Sequence, residues 1–107
     1  MTKKLLGVTT VDSGQLIIID PCYLQKWKND EYNEKASYNQ LCYSNACKAS
    51  SLKNKGGSFG SSAIAIAFQS GLGDGVYRVY AYYKDISKIT KSKGRDMRIA
   101  KIEIDLL

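Results

Sequence analysis

Three aspartates beside apolar segments are the residues of this sequence that could hold a hard cation. Asp12 precedes a glycine turn, Asp20 precedes the single proline, and Asp74 lies between two glycines. A divalent cation needs several oxygen ligands, which carboxylates on neighbouring turns could supply. Each aspartate also has an ordinary structural role, as a turn residue or as a helix N-cap. We therefore treat the three as a candidate acidic site and expect neither a bound metal nor a cofactor.

Three cysteines are the second candidate for chemistry. Cys42 and Cys47 are five residues apart, Cys22 follows the proline, and the chain has no histidine. Zinc would lack its usual ligands, and a nucleophilic thiol would lack an imidazole base. An odd number of cysteines without a signal peptide predicts reduced thiols, buried as small apolar side chains. An enzyme that uses Asp20, Cys22 and Asp74 is therefore the third and least favoured hypothesis.

Basic residues close to tyrosines are the third candidate. The chain has a formal net charge of +6, and residues 84–101 hold seven Lys or Arg against two acids. Residues 24–55 hold six lysines against three acids. Lysines can follow the phosphates of a nucleic acid, and tyrosine rings can stack on its bases. The predicted ligand-binding residues are Arg78, Tyr80, Tyr82, Lys91, Lys93 and Arg95. The alternative is that the tyrosines belong to the core and that the charge serves solubility.

Two glycine-rich segments resemble phosphate-binding loops only superficially. Residues 56–62 lack the lysine of a P-loop, and residues 71–75 lead into a predicted strand where a dinucleotide fingerprint would begin a helix. Neither segment is predicted to bind a nucleotide through a glycine loop.

The length of 107 residues predicts a single domain over residues 1–107. Hydrophobic residues make up 44% of the chain and charged residues 24%, which is ordinary for a globular protein. No apolar run approaches the ~18 residues of a membrane span. We therefore expect a cytoplasmic protein without a membrane partner.

The first half of the chain predicts two strands around a turn, two short helices and a mobile connection. The turn, Asp12-Ser13-Gly14, is typical of a hairpin, and Asp20-Pro21 is typical of a helix start. In chain order the predicted elements cover residues 5–11, 15–19, 21–28, 34–48 and 52–62.

The second half predicts strands only. Residues 62–68 alternate between large and small apolar side chains, and we expect the large face, with Ile66 and Phe68, to meet the core. This strand is predicted to pair with Val76–Tyr83, an inner strand. A short strand over residues 86–89 and a last strand over residues 98–106 follow, the latter with one wet face. The fold class is α+β, mainly β: a small antiparallel sandwich or partly open barrel of five to six strands with one or two short helices.

Three short motifs in this order resemble a family of small uncharacterised proteins from bacteria, phages and mobile elements. They are Asp12-Ser13-Gly14, Asp20-Pro21-Cys22-Tyr23 and Gly73-Asp74-Gly75-Val76-Tyr77. The resemblance spans most of the chain and implies a β-rich single domain of mobile-element origin. It implies no activity and no catalytic residues.

The sequence therefore favours a small non-enzymatic binding domain. Its expected partner is anionic, a nucleic acid or a nucleotide, held on a basic face that carries tyrosines. The alternative hypothesis is a protein-interaction or structural module of a mobile element.

Overall fold

A computed structural model of the chain describes residues 1–28, 37 and 39–107. These residues form two compact units. The terminal unit combines Met1–Thr10 with Gly75–Leu107, and the inserted unit is Val11–Asp74. Each unit contains one three-stranded sheet.

The secondary structure confirms a mainly β, α+β chain with short helices. The strands are β1 Thr2–Val11, β2 Gln15–Ile19, β3 Gly56–Phe59, β4 Ala65–Gln69, β5 Gly75–Asp85 and β6 Met97–Ile104. Their order is β1-β5-β6 in the terminal sheet and β2-β4-β3 in the inserted sheet. The helices are α1 Tyr43–Ser50, α2 Ser87–Thr90 and two 3₁₀ helices, Pro21–Lys26 and Ser61–Ala63. None of the helices in the described part of the chain has the length and apolar character needed to cross a membrane.

β5 is the central strand of the terminal sheet, as its two-sided composition predicts. Its two faces follow the alternation of a pleated strand, and β6 pairs with it antiparallel, with Tyr80 opposite Glu103 and Tyr82 opposite Lys101. The register shifts between Tyr82 and Tyr83, so that Ile99 lies opposite Tyr83. This bulge moves Ala100 out of the regular alternation that the sequence predicts for the last strand.

The two predicted strand pairs, of β1 with β2 and of β4 with β5, are wrong. β1 and β5 belong to the terminal sheet, whereas β2 and β4 pair with each other antiparallel in the inserted sheet. The Asp12-Ser13-Gly14 turn does not close a hairpin between β1 and β2. The backbone N–H of Gly14 instead donates to the carboxylate of Asp74, at 2.8 Å. Gly14 has a φ of +67°, as a tight turn requires, but its turn joins strands of different sheets.

The core of the inserted unit lies on the alanine face of β4, not on the predicted large face. Ala65 and Ala67 are buried, whereas Ile66 is 40% exposed. α1 explains the difference, because its own alanines, Ala46 and Ala49, pack with those of β4 in one cluster. Small side chains on both elements allow the helix to approach the sheet closely, and the larger residues then face outward.

The predicted mobile connection over residues 52–62 is wrong, since it contains β3. Phe59, at the end of this strand, is only 2% exposed, and its ring meets that of Trp27 edge-on at 6.2 Å. Glycine suits position 56 because β4 approaches the strand closely there. A Cβ there would lie 3.0 Å from the carbonyl oxygen of Ala67.

The predicted helix starts are partly confirmed. Asp20 caps a 3₁₀ helix by accepting from the backbone N–H of Cys22 at 3.0 Å, with Pro21 in the first turn. The helix predicted over residues 34–48 begins only at Tyr43, after an extended Cys42, and residues 34–36 and 38 lie outside the described residues. The strand predicted over residues 86–89 is instead the helical turn α2, which begins where the Asp85 carboxylate accepts from the N–H of Ser87.

Candidate nucleic-acid interface

The terminal sheet presents one face that carries tyrosines and charged side chains. We call it the tyrosine face, formed by Lys3, Arg78, Tyr80, Tyr82, Lys101 and Glu103. Alternation along β5 places Arg78, Tyr80 and Tyr82 together, as predicted. Arg78 is exposed, and both tyrosines are half-buried. The tyrosines are therefore not core residues, and parts of their surfaces are open to solvent.

Two lysines from the flanking strands lie over these tyrosine rings. The ammonium of Lys3, on β1, is 4.4 Å from the ring centre of Tyr80 and 5.6 Å from that of Tyr82. The ammonium of Lys101, on β6, is 4.9 Å from the ring centre of Tyr82. Cations at these distances are attracted by the negative face of an aromatic ring. The tyrosine face is thus built from all three strands and concentrates cations around two aromatic rings.

Glu103 is the acid of this face that contacts its lysine and tyrosine side chains. Its carboxylate accepts from the Lys3 ammonium at 2.8 Å and from the Tyr82 hydroxyl at 3.3 Å. The hydrogen bond with Lys3 lowers the pKa of Glu103 and, conversely, raises the pKa of Lys3. Both side chains are more than a third exposed, so the pair is accessible to a competing ion.

The other predicted basic residues do not join the tyrosine face. Arg95 lines a depression of about 450 Å³ together with Lys4 and Tyr83, and Tyr83 points to the opposite face of β5. Lys91 ends α2 in the left-handed conformation, and Lys91 and Lys93 are both exposed. The structure therefore divides the predicted ligand-binding set between one sheet face and the segment between α2 and β6.

A network around Asp96 fixes this segment. The Asp96 carboxylate accepts from the Thr90 hydroxyl and from the Arg98 guanidinium, each at 2.7 Å. The Arg98 contact is the main reason that the pKa of Asp96 is lowered. The Asp85 carboxylate accepts from the backbone N–H groups of Ser87 and Asp96, which lowers its pKa as well. These acids hold the fold of the segment that presents Lys91 and Lys93.

Two of the three aspartates of the candidate acidic site have separate structural partners, and Asp12 is exposed. Asp74 accepts from Gly14 in a turn where Gly73 has a φ of +88°, and Asp20 caps its 3₁₀ helix. The Asp74 turn contacts the turn that follows Asp12, because Gly14 donates to Asp74 and lies beside Gly73. Within the described ranges no three acidic or thiol side chains come together as metal ligands.

The thiols are free and differ in exposure. Cys42 is buried, Cys47 is partly buried, and Cys22 is exposed, so the expectation that all three are buried is wrong for Cys22. Loss of water around the thiol and its hydrogen bond with Asp20 raise the pKa of Cys22, which makes it a poor nucleophile. Cys47 accepts a hydrogen bond from the Gln15 amide at 3.3 Å, beside an apolar depression of about 300 Å³ that includes Trp27 and Tyr43.

The formal charge divides unevenly between the two units. The terminal unit carries ten Lys or Arg residues against four acids, whereas the inserted unit carries six against six. The whole surplus of +6 therefore belongs to the unit that bears the tyrosine face. The surplus that the sequence places in residues 24–55 is balanced by the other acids of the inserted unit.

Three members of the tyrosine face, Lys3, Lys101 and Glu103, were not among the residues predicted to bind a ligand. Lys101 and Glu103 were predicted on the wet face of the last strand, but the pairing of β6 with β5 was not predicted. Lys3 precedes an apolar run, and no sequence pattern links it to the tyrosines. Its position follows from the pairing of β1 with β5.

Comparisons with protein-family models, with curated proteins and with solved structures find no match to this chain. The resemblance to small bacterial and phage proteins therefore stays a prediction.

Proposed function

We propose that this protein is a non-enzymatic binding domain whose tyrosine face holds an anionic partner, a nucleic acid or a nucleotide. The observation that carries the proposal is the position of Lys3 and Lys101 over the rings of Tyr80 and Tyr82, which are partly open to solvent, with Arg78 on the same face of β5. Cations attract phosphates, and the rings offer flat apolar surfaces to bases. The surplus of +6 in the same unit would add long-range attraction for a polyanion.

The proposal is tested by titrating a fluorescently labelled oligonucleotide with the protein at several salt concentrations and measuring anisotropy. We expect affinity to fall as salt rises, because phosphate contacts release counterions. Lys101→Ala should weaken binding and reduce the slope of log affinity against log salt by about 0.7 for a single strand. The matched control is Lys53→Ala, which removes an exposed lysine from the inserted unit. Absence of binding at low salt, or equal effects of the two substitutions, would contradict the proposal.

A second candidate function is a protein-interaction module, which the opposite face of the terminal sheet favours. We call it the apolar face, formed by Leu6, Val8, Val79, Ala81, Ile99 and Ile102; Lys4 lies over the Tyr83 ring on this side, and alternation along β1 places Leu6 and Val8 with it. Leu6, Val8 and Ile99 on the flanking strands are each more than half exposed, whereas Ala81 on the central strand is buried, so the flanking strands are the part of this face that a partner could contact. Sedimentation velocity at rising concentration tests whether that partner is a second copy. Association that Ile99→Lys abolishes would support this candidate.

Three further proposals come from the sequence alone. They are a single domain of residues 1–107, a cytoplasmic location and a phage or mobile-element origin. A metal- or thiol-dependent reaction is not proposed, because no observation on the described residues favours one over the structural roles of Asp20, Cys22 and Asp74.

A further inference from the structure

The ion pair of the tyrosine face crosses the whole terminal sheet. Lys3 lies on one edge strand, β1, and Glu103 lies on the other, β6, with β5 between them. To reach the Glu103 carboxylate at 2.8 Å, the Lys3 side chain passes over the rings of β5. Lysine is long enough to cover apolar surface while its charged end stays in contact with water.

This crossing means that the free protein occupies its own binding surface. Lys3 covers part of the Tyr80 and Tyr82 rings, and Lys101 covers part of the Tyr82 ring. The Glu103 carboxylate meanwhile accepts from an ammonium and a hydroxyl. A phosphate oxygen would accept from the same two donors. A ligand with both a base and a phosphate would therefore replace both parts of this internal contact.

The spacing of the rings determines which nucleic acid can use both of them. Tyr80 and Tyr82 are two residues apart along a strand, so their attachment points are roughly 7 Å apart. Successive bases of a duplex are only about 3.4 Å apart and keep their faces stacked inside the helix. Unpaired bases can be spread apart and stacked on separate aromatic side chains.

We propose that the tyrosine face binds single-stranded nucleic acid by exchange, with Glu103 holding in the free protein the place of a backbone phosphate. This inference rests on the proposed function and makes it more specific. On binding, a phosphate takes Lys3 and the Tyr82 hydroxyl from Glu103, and the displaced lysine leaves the rings open to two bases. Glu103 thereby lowers the affinity for every anion. Most of the net binding free energy then comes from stacking, which only ligands with unpaired bases can supply.

The test compares wild-type protein with Glu103→Gln and Asp105→Asn. Both substitutions remove one negative charge from the same side of the terminal sheet, since Asp105 lies opposite Arg78, but of the two acids only Glu103 contacts Lys3 and Tyr82. A labelled oligothymidine is titrated by anisotropy over a range of salt. The same measurements on a labelled mixed sequence, alone and annealed to its complement, give the preference for single strands.

We expect Glu103→Gln to tighten binding by about three- to fivefold, which corresponds to freeing a surface ion pair. It should also steepen the slope of log affinity against log salt by about 0.7. In the wild type, the cation that the phosphate releases is offset by one that the freed Glu103 carboxylate takes up, and in the variant there is no such uptake. Asp105→Asn should change affinity less than twofold. The duplex should bind at least about tenfold more weakly than the single strand, since stacking is lost.

The outcomes separate this inference from the proposed function. Salt-dependent binding that Glu103→Gln leaves unchanged, or that both substitutions tighten equally, would overturn the exchange while leaving the proposed function intact. A duplex that binds as tightly as the single strand would overturn the ligand class in the same way. If neither wild-type nor Glu103→Gln protein binds any oligonucleotide, the proposed function fails and this inference fails with it.

Discussion

Phe59→Ala distinguishes a packed strand from a mobile connection over residues 52–62. Phe59 is among the largest fully buried side chains of the described residues, and it packs in the cluster that contains Ala65 and Ala67. If the segment were a mobile connection, removing the ring would change the free energy of unfolding by less than about 0.5 kcal/mol, as at an ordinary surface position.

The structure predicts a far larger effect. Truncation of a buried phenylalanine to alanine costs about 3–5 kcal/mol, through lost burial and the cavity that remains. The edge-on contact with Trp27, at 6.2 Å and 78°, belongs to the class of aromatic pairs that adds about 0.5–1.5 kcal/mol beyond burial. We therefore expect a loss of about 4 kcal/mol. A chain of this size has a total stability of about 5–15 kcal/mol, so the variant should still fold.

Urea unfolding followed by Trp27 fluorescence is the assay. Trp27 is the single tryptophan of the sequence and lies in the same unit as Phe59, so its signal reports the unfolding of that unit. With a urea slope of about 1–3 kcal/mol per molar, the midpoint should fall by more than about 1 M. The control is Leu72→Ala, in the same unit but 72% exposed, which should shift it little. Equal midpoints for the two variants would refute the packing described here.

Two further predictions concern the close approach of β4 to Gly56 and the acid sensitivity of the Asp96 network. Gly56→Ala should destabilise by about 1–3 kcal/mol, because its Cβ would press on the carbonyl of Ala67, whereas Gly94→Ala meets open space and should be neutral or slightly stabilising. Thermal denaturation measures both, and equal shifts would contradict the close approach of β3 and β4. Asp96 has a lowered pKa, so its contribution to stability is complete above the ordinary aspartate value of about 4 and is lost as pH falls through the lower folded value. Between pH 6 and pH 2, the melting temperature of Asp96→Asn should therefore fall less than that of the wild type, and parallel curves would show that this network adds nothing to stability.

The strands with clear local patterns were predicted well, and the pairings were not. Alternation and turn glycines are properties of neighbouring residues, so they locate β2, β5 and β6 to within a few positions. Which strands meet depends on contacts between distant residues. The hydrogen bond from Gly14 to Asp74 joins turns 60 residues apart, and no local pattern indicates it.

Bulk was a misleading guide to burial in β4. Large apolar residues contribute most when buried, so Ile66 appeared to face the core, with Ala67 opposite. The helix that covers this sheet carries alanines and can approach only an equally small surface. The sequence of one strand does not show which side chains its neighbour will carry. Which of the two faces of β4 is buried could therefore not be predicted from β4 alone.

The part of the candidate site that lies on one strand was predicted, and the part contributed by neighbouring strands was not. Arg78, Tyr80 and Tyr82 share a face because they alternate on one strand. Lys3 and Lys101 join them only because β1 and β6 flank that strand. Lys91, Lys93 and Arg95 were included because they follow β5 closely in sequence. The chain turns at α2, however, so these residues do not lie on the tyrosine face.

The insertion of Val11–Asp74 between β1 and β5 has a consequence for the order in which the chain folds. Pairing β1 with β5 in an unfolded chain would require closing a loop of more than 60 residues, which is entropically costly and slow. The inserted unit is contiguous, and folding it places Gly14 beside Gly73, with a Cβ at Gly14 only 4.0 Å from the Gly73 Cα. β1 ends three residues before Gly14 and β5 begins two residues after Gly73, so this step shortens the loop that must be closed to pair them. During synthesis, the inserted unit can therefore fold while β5 and β6 are still inside the ribosome, and the terminal sheet, with its basic surplus, assembles last.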